Sequence, residues 1–198
     1  AEGTKAVNYN IQKEEGTLTI TDRDDDKKLE ITVTAKSDEQ PYNGTEQKVE
    51  GFETLEFNVG GQVYKVEGLQ AKAVGTDVKE GGYESKVTGT AVVRDAAGKD
   101  VTDQFKVKTE NGKLTITPIE IKLRSESGSK PYDGTALTMP KVTVVSGAFV
   151  EGEGFAEGSP RATGSVLYAG ESEKNTIEYE LAEGTKAVNY NIQKEEGT

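Results

Sequence analysis

The chain carries 35 aspartates and glutamates against 24 lysines and arginines in 198 residues, with no histidine, cysteine or tryptophan. That inventory removes the commonest general base, the thiol nucleophile and the usual zinc ligands together. Carboxylate chemistry is what remains. Glycoside hydrolysis needs only two carboxyl groups, yet no pair stands out from the other acids. The reading is therefore of a protein that is not an enzyme, with no catalytic residues and no cofactor. The densest acidic cluster, Asp22, Asp24, Asp25 and Asp26, raises calcium, which takes several hard oxygens. Asp22, Asp24 and Asp26 are the candidate ligands. The stretch lacks the turn glycine and distal glutamate of an EF-hand loop, and Arg23, Lys27 and Lys28 offset its charge, so a solvated linker is the competing reading. An intramolecular bond between lysine and asparagine, formed beside a buried acid, is a third chemistry whose residue types are all present.

Aromatic rings could stack on sugars. The chain has eight tyrosines and five phenylalanines. Phe105, Tyr179 and Tyr190 fall on alternating strand positions and read as core. Phe149 and Phe155 lie in the glycine-rich stretch Gly147 to Gly158, where a loop on a fixed scaffold could carry recognition. They are the candidate ligand-binding residues, for a host glycan or extracellular protein. The alternative is a connection whose phenylalanines tuck inward.

The elements that must position these groups read as β-strands. Leu29, Ile31 and Val33 alternate with Glu30, Thr32 and Thr34, and Ile119, Ile121 and Leu123 alternate with Glu120, Lys122 and Arg124. That is the period of strands with one wet face. Leu114 with Ile116, and Ile177 with Tyr179 and Leu181, follow the same rule. Asn111-Gly112 between two such runs predicts a two-residue hairpin turn. No stretch shows helical apolar spacing, and 23 glycines interrupt every candidate. An all-β fold is expected, two tandem Ig-like or β-sandwich modules end to end. β-grasp-like modules are the alternative, disfavoured because no segment reads as their crossing helix.

Repeats set the boundaries. Residues 1–17 and 182–198 are identical, the mark of an array. Within that long period lies a weaker repeat, in which Pro41-Tyr42-Asn43-Gly44-Thr45 matches Pro131-Tyr132-Asp133-Gly134-Thr135. The expected organisation is residues 1–23 as the closing hairpin of a preceding module plus an acidic linker, 24–118 as a complete module, and 119–198 as a second module lacking its last strand. Leu114 to Thr117 runs through Pro118 straight into Ile119 to Leu123, a junction that restricts swivelling, stiffened by proline. The junction at 22–28 is longer and polar. In the two five-residue motifs, proline and tyrosine suit an extended entry and Asn-Gly or Asp-Gly suits positive-φ turn positions, with the tyrosine ring on the core edge. The complementary deficits of the ends predict head-to-tail self-association. Leu18 and Ile20 of one molecule would add a strand to the clipped module of another, beside Tyr190 and Ile192.

The order of an opening strand, PYNGT or PYDGT, a glycine-containing middle and a closing NGKLTITP resembles the YDG and MBG-type repeats of large surface proteins of Gram-positive and gut bacteria. The resemblance covers both modules almost end to end. It implies a secreted, cell-surface protein, cell-wall anchored at full length, with no enzymatic activity and with neighbouring repeats as its partners. The expected function is a stalk that presents a distal binding region; the alternative is a module that itself binds host glycan or protein. A net charge of -11 argues against nucleic acid and anionic membrane surfaces as partners. No apolar run approaches a membrane span.

Overall fold

A computed structural model describes residue 10 and residues 12–198. The chain is all-β, as the alternation predicts. The only helical turns among the described residues are short 3-10 segments at Asp25–Lys27, Thr102–Gln104 and Ala187–Asn189, so no crossing helix of a β-grasp is among them. Among the described residues no helix is long and apolar enough to cross a membrane.

Among the described residues, every strand pairing falls wholly before or wholly after Pro118. In the first half, β1 (Leu29–Thr34) runs parallel to β7 (Phe105–Glu110). β2 (Asp38–Pro41), β3 (Gln47–Glu50), β5 (Gln62–Gly75), β6 (Tyr83–Arg94) and β8 (Gly112–Thr117) join in the order β2-β8-β6-β5-β3, with β4 (Glu56–Val59) also on β5. In the second half, β9 (Ile119–Ser125) lies between β11 (Val142–Ser146) and β15 (Tyr190–Glu195), parallel to the latter. Two small ladders complete it: β10 (Leu137–Thr138) on β13 (Ser165–Val166), and β12 (Arg161–Ala162) on β14 (Ile177–Glu178).

The opening strands β1 and β9 sit where the alternation of Leu29 to Val33 and Ile119 to Leu123 puts them. The expected hairpin at Asn111-Gly112 does not form. β7 and β8 pair with different partners, and Gly112 has no positive φ. The residues there serve other ends. A Cβ on Gly112 would lie 2.1 Å from the Lys36 carbonyl oxygen, so only glycine permits that approach. The Asn111 side chain accepts from the Val87 amide and donates to Glu84. In the tail, Tyr9 and Ile11 lie outside the described residues; Leu18 and Ile20 belong to no strand and are fully exposed.

One core in the first half gathers Ile31, Val33, Val66, Val93 and Phe105. The other crosses the junction, joining Tyr42, Val49, Ala73, Leu114 and Ile116 to Ile121, Leu123, Ile177 and Tyr190. The long β5–β6 hairpin serves both cores: Val66 and Val93 face the first, Ala73 the second. Its register shifts between Glu67 and Leu69, where Gly68 and Gly89 take positive φ and approach backbone too closely for any Cβ. A bulge there increases the twist that carries the hairpin from one core to the other.

Candidate functional site: the joint at Pro118

The short junction seen in the sequence is a packed joint. β2 ends at Pro41, and the next amide, of Tyr42, donates to the Thr117 carbonyl at 2.8 Å, which ties it to the end of β8. Asn43 then closes a side-chain turn, its Oδ1 accepting from the Thr45 amide and hydroxyl, both at 2.9 Å. Gly44 takes φ +77, and a Cβ there would stand 3.1 Å from Val150 of the second half. This tight turn aims the Tyr42 ring across the junction. The ring is buried, lies edge-on to Tyr190 at 5.7 Å, and its hydroxyl donates to Glu153 Oε1 at 2.5 Å. The other Glu153 oxygen is buried and has no hydrogen-bond partner among the described residues.

The second half supplies an aromatic seat. Tyr190 opens β15 after the 3-10 turn at Ala187–Asn189, and its hydroxyl accepts from the Val150 amide at 3.2 Å. Phe149 packs against Tyr190 at 4.5 Å, Phe155 edge-on to Phe149 at 4.9 Å, and Tyr179 beyond Phe155 at 5.7 Å. Phe149 and Phe155, read from the sequence as ligand-binding candidates, are thus brought together, half-buried, with their rings against the joint.

A second clamp lies beside the first. Asn189 is fully buried; its Oδ1 accepts from the Val78 amide at 2.8 Å and its Nδ2 donates to Asp77 at 2.9 Å. Lys186 reaches the other Asp77 oxygen at 2.6 Å, and the Tyr83 hydroxyl holds the Asp77 carbonyl at 2.8 Å. One amide side chain therefore fixes the β5–β6 loop of the first half to the turn before β15.

The protonation states follow. Burial, then the bond to Glu153, pushes the Tyr42 phenol well above its ordinary range. Burial pushes Tyr190 up to about 12 against the opposing Val150 amide. Asn189 first, then Lys186, hold the Asp77 carboxyl below the usual range. At neutral pH both phenols are fixed donors or acceptors and Asp77 is an anion with two partners. The arrangement holds two bodies together.

The second motif, Pro131 to Thr135, makes the same turn: Asp133 Oδ1 accepts from the Thr135 amide at 2.9 Å and hydroxyl at 2.8 Å. The turn needs an oxygen at that position, and either asparagine or aspartate serves. Neither takes the positive φ that the sequence suggested; only Gly44 and Gly134 do. Asp133 is also held well below the usual carboxylate range, chiefly by Lys130. The tyrosines differ. Tyr132 is 64% exposed, against the expectation of a ring on the core edge, because nothing among the described residues covers it as the second half covers Tyr42.

Asp22, Asp24 and Asp26 are not brought together. Asp22 accepts from Gln104 at 2.7 Å and Asp24 from Lys27 at 2.8 Å, and among the described residues no group of three or more acids is placed to hold a metal ion. Tyr190 and Ile192 lie on β15, the edge strand of its sheet, and pair on its inner side with Ile119 and Ile121. Sequence reasoning missed Asp77, Glu153 and Asn189, which carry no local signature. Compared with protein-family models, curated proteins and solved structures, the chain matches none.

Proposed function

We propose that the chain is a non-enzymatic stalk segment of a bacterial surface adhesin, two Ig-like β-sandwich modules whose role is to extend and present a distal binding region. The observation that carries this reading is the joint. A stalk must resist bending between its units, and here one hydrophobic core and two polar clamps, at Tyr42–Glu153 and at Asn189, cross the junction. Interfaces between domains otherwise default to relative motion. The exact repeat of seventeen residues and the likeness to YDG and MBG-type repeats support an array on the cell surface, anchored to the wall at full length. The absence of histidine and cysteine from the sequence supports a structural role over a catalytic one.

Residual dipolar couplings measured separately for residues 24–118 and 119–198 test the stalk directly. A single alignment tensor for both halves is expected; two independent tensors would remove the mechanical argument. A glycan and matrix-protein array tests the rival role, and a hit that falls in Phe149→Ala or Phe155→Ala would make the module itself the binder.

A further inference from the structure

The chain contains two Asn-Gly pairs, Asn43-Gly44 and Asn111-Gly112. Such a pair carries a latent reaction of its own. The glycine nitrogen can attack the side-chain carbonyl carbon of the asparagine before it, and with no Cβ on the glycine nothing obstructs closure of the five-membered ring. How the folded chain holds the two groups decides whether the ring closes.

The two pairs are held in opposite ways. Asn111 is pinned to β6 at both ends of its amide, Oδ1 accepting from Val87 at 2.9 Å and Nδ2 donating to Glu84 at 2.7 Å. Gly112 is buried against the Lys36 carbonyl, so closing the ring there would break both bonds and disturb β8. Asn43, Gly44 and Thr45 are exposed and lie in no strand, and the Gly44 amide has no acceptor among the described residues. The Asn43 side chain is held by its own turn, through the Thr45 amide and hydroxyl, each 2.9 Å from Oδ1. Both donors aim at the oxygen that gathers negative charge when Cγ is attacked, the arrangement that stabilises an oxyanion.

We infer that Asn43-Gly44 is a site of spontaneous covalent modification, deamidating through a cyclic imide, and that one of its two products loosens the joint. The Gly44 nitrogen, having lost its proton to hydroxide, bonds to Asn43 Cγ. The Cγ–Nδ2 bond then breaks, and Nδ2 leaves as ammonia with a proton taken from water. A second water opens the imide. Attack at Cγ breaks the bond from Cγ to the Gly44 nitrogen and gives aspartate. Attack at the main-chain carbonyl of residue 43 gives isoaspartate, whose chain runs through Cβ and Cγ and is one methylene longer.

The aspartate product keeps the turn, since Asp133 makes the same bonds in the second motif. There the carboxylate, paired with Lys130 at 2.9 Å, has no ammonia to lose. Isoaspartate does not fit. The turn is anchored on both sides, by the Tyr42 amide on the Thr117 carbonyl at 2.8 Å and by Gln47 Nε2 on the Pro41 carbonyl at 3.1 Å. A Cβ at Gly44 would already stand 3.1 Å from Val150. An added methylene must displace one of these contacts, and the Tyr42 ring, seated on Tyr190 and bonded to Glu153, moves with its backbone. The inference needs the turn and the joint, not the stalk reading.

Peptide mapping by mass tests it, on the whole chain aged in mildly alkaline heavy-oxygen water, both folded and unfolded in guanidinium. Each converted asparagine should take up one heavy oxygen. At Asn43 the folded rate should equal or exceed the unfolded rate; at Asn111 folding should slow conversion roughly 10-fold or more. Thr45→Val, which removes one donor to Oδ1, should slow the folded reaction at Asn43 roughly 3-fold or more. The isoaspartyl chain, separated by ion exchange and identified by enzymatic methylation, should exchange its Tyr42 amide hydrogen roughly 10-fold faster than wild type. Asn43→Asp should exchange it as wild type does. Equal protection of the two asparagines by folding, a rate indifferent to Thr45→Val, or an isoaspartyl chain with wild-type exchange at Tyr42 overturns the inference.

Discussion

Tyr42 and Glu153, 111 residues apart in the chain, meet at 2.5 Å across the junction, and each answers a need of the other. The phenol is buried and requires an acceptor; the Glu153 side chain has one oxygen on that phenol and its other oxygen buried with no partner among the described residues. A buried polar group costs most when its partner is removed, so this bond couples the two halves more tightly than its own strength suggests.

Tyr42→Phe keeps the ring and deletes the donor. It should lower stability by about 1–3 kcal/mol, the cost of stranding a buried acceptor. Tyr42→Ala, which also empties the aromatic seat beside Tyr190, should cost about 3–5 kcal/mol. Urea unfolding measures both. A Tyr42→Phe value within about 0.5 kcal/mol of wild type, the range of ordinary surface changes, would show that the bond does not couple the halves.

Asn189 is the second test. Asn189→Ala deprives the Val78 amide of its acceptor and Asp77 of a donor, for an expected loss of about 1–3 kcal/mol. Asn189→Asp still offers Val78 an oxygen but sets a carboxylate against Asp77, so it should be worse than alanine at pH 7. Asp77 in the wild type has a depressed pKa, so its contribution is present above the ordinary carboxyl range and lost as pH falls through its folded value. The aspartate variant should run the other way, recovering relative to wild type on acidification. A pH series of melting temperatures for the three proteins decides it.

The two five-residue motifs permit a swap. Because Asp133 makes the same turn as Asn43, Asn43→Asp should be neutral within about 0.5 kcal/mol, whereas Asn43→Ala should cost about 1 kcal/mol through the lost turn bonds. Gly44→Ala adds a left-handed backbone penalty of about 1–2 kcal/mol and a contact with Val150. Thermal melts of the three variants should rank in that order.

How far the sequence foretells this structure depends on the range of the interaction. The opening strands were legible because period-two alternation is a local property, and Leu29 to Val33 shows it without reference to anything distant. Asn111-Gly112 was misleading because a glycine can answer two needs. Positive φ is visible to turn rules, but a close approach to the Lys36 carbonyl is set by a segment some 75 residues earlier. Leu18 and Leu114 sit in the same four-residue word, one exposed and the other buried, so burial here belongs to the partner strands. Glu153 and Asp77 look like any of the other acids until the junction brings a tyrosine to one and an asparagine to the other.

Alkali should open the joint through its tyrosines. Both Tyr42 and Tyr190 have folded pKa values raised above 10, chiefly by burial, Tyr190 to about 12. Between those values the folded chain holds protons that the unfolded chain has released. Stability is therefore complete below pH 10 and falls as pH rises through about 12. Lys186, raised by its bond to Asp77, adds a loss of the same sign above its ordinary value. Absorbance of ionised phenol and backbone circular dichroism, followed together from pH 8 to 13, should show the last phenols ionising in step with loss of β signal. Tyr42→Phe should remove one of those late ionisations. Full phenolate absorbance by pH 11 with the β signal intact would mean that neither hydroxyl is sealed within the joint.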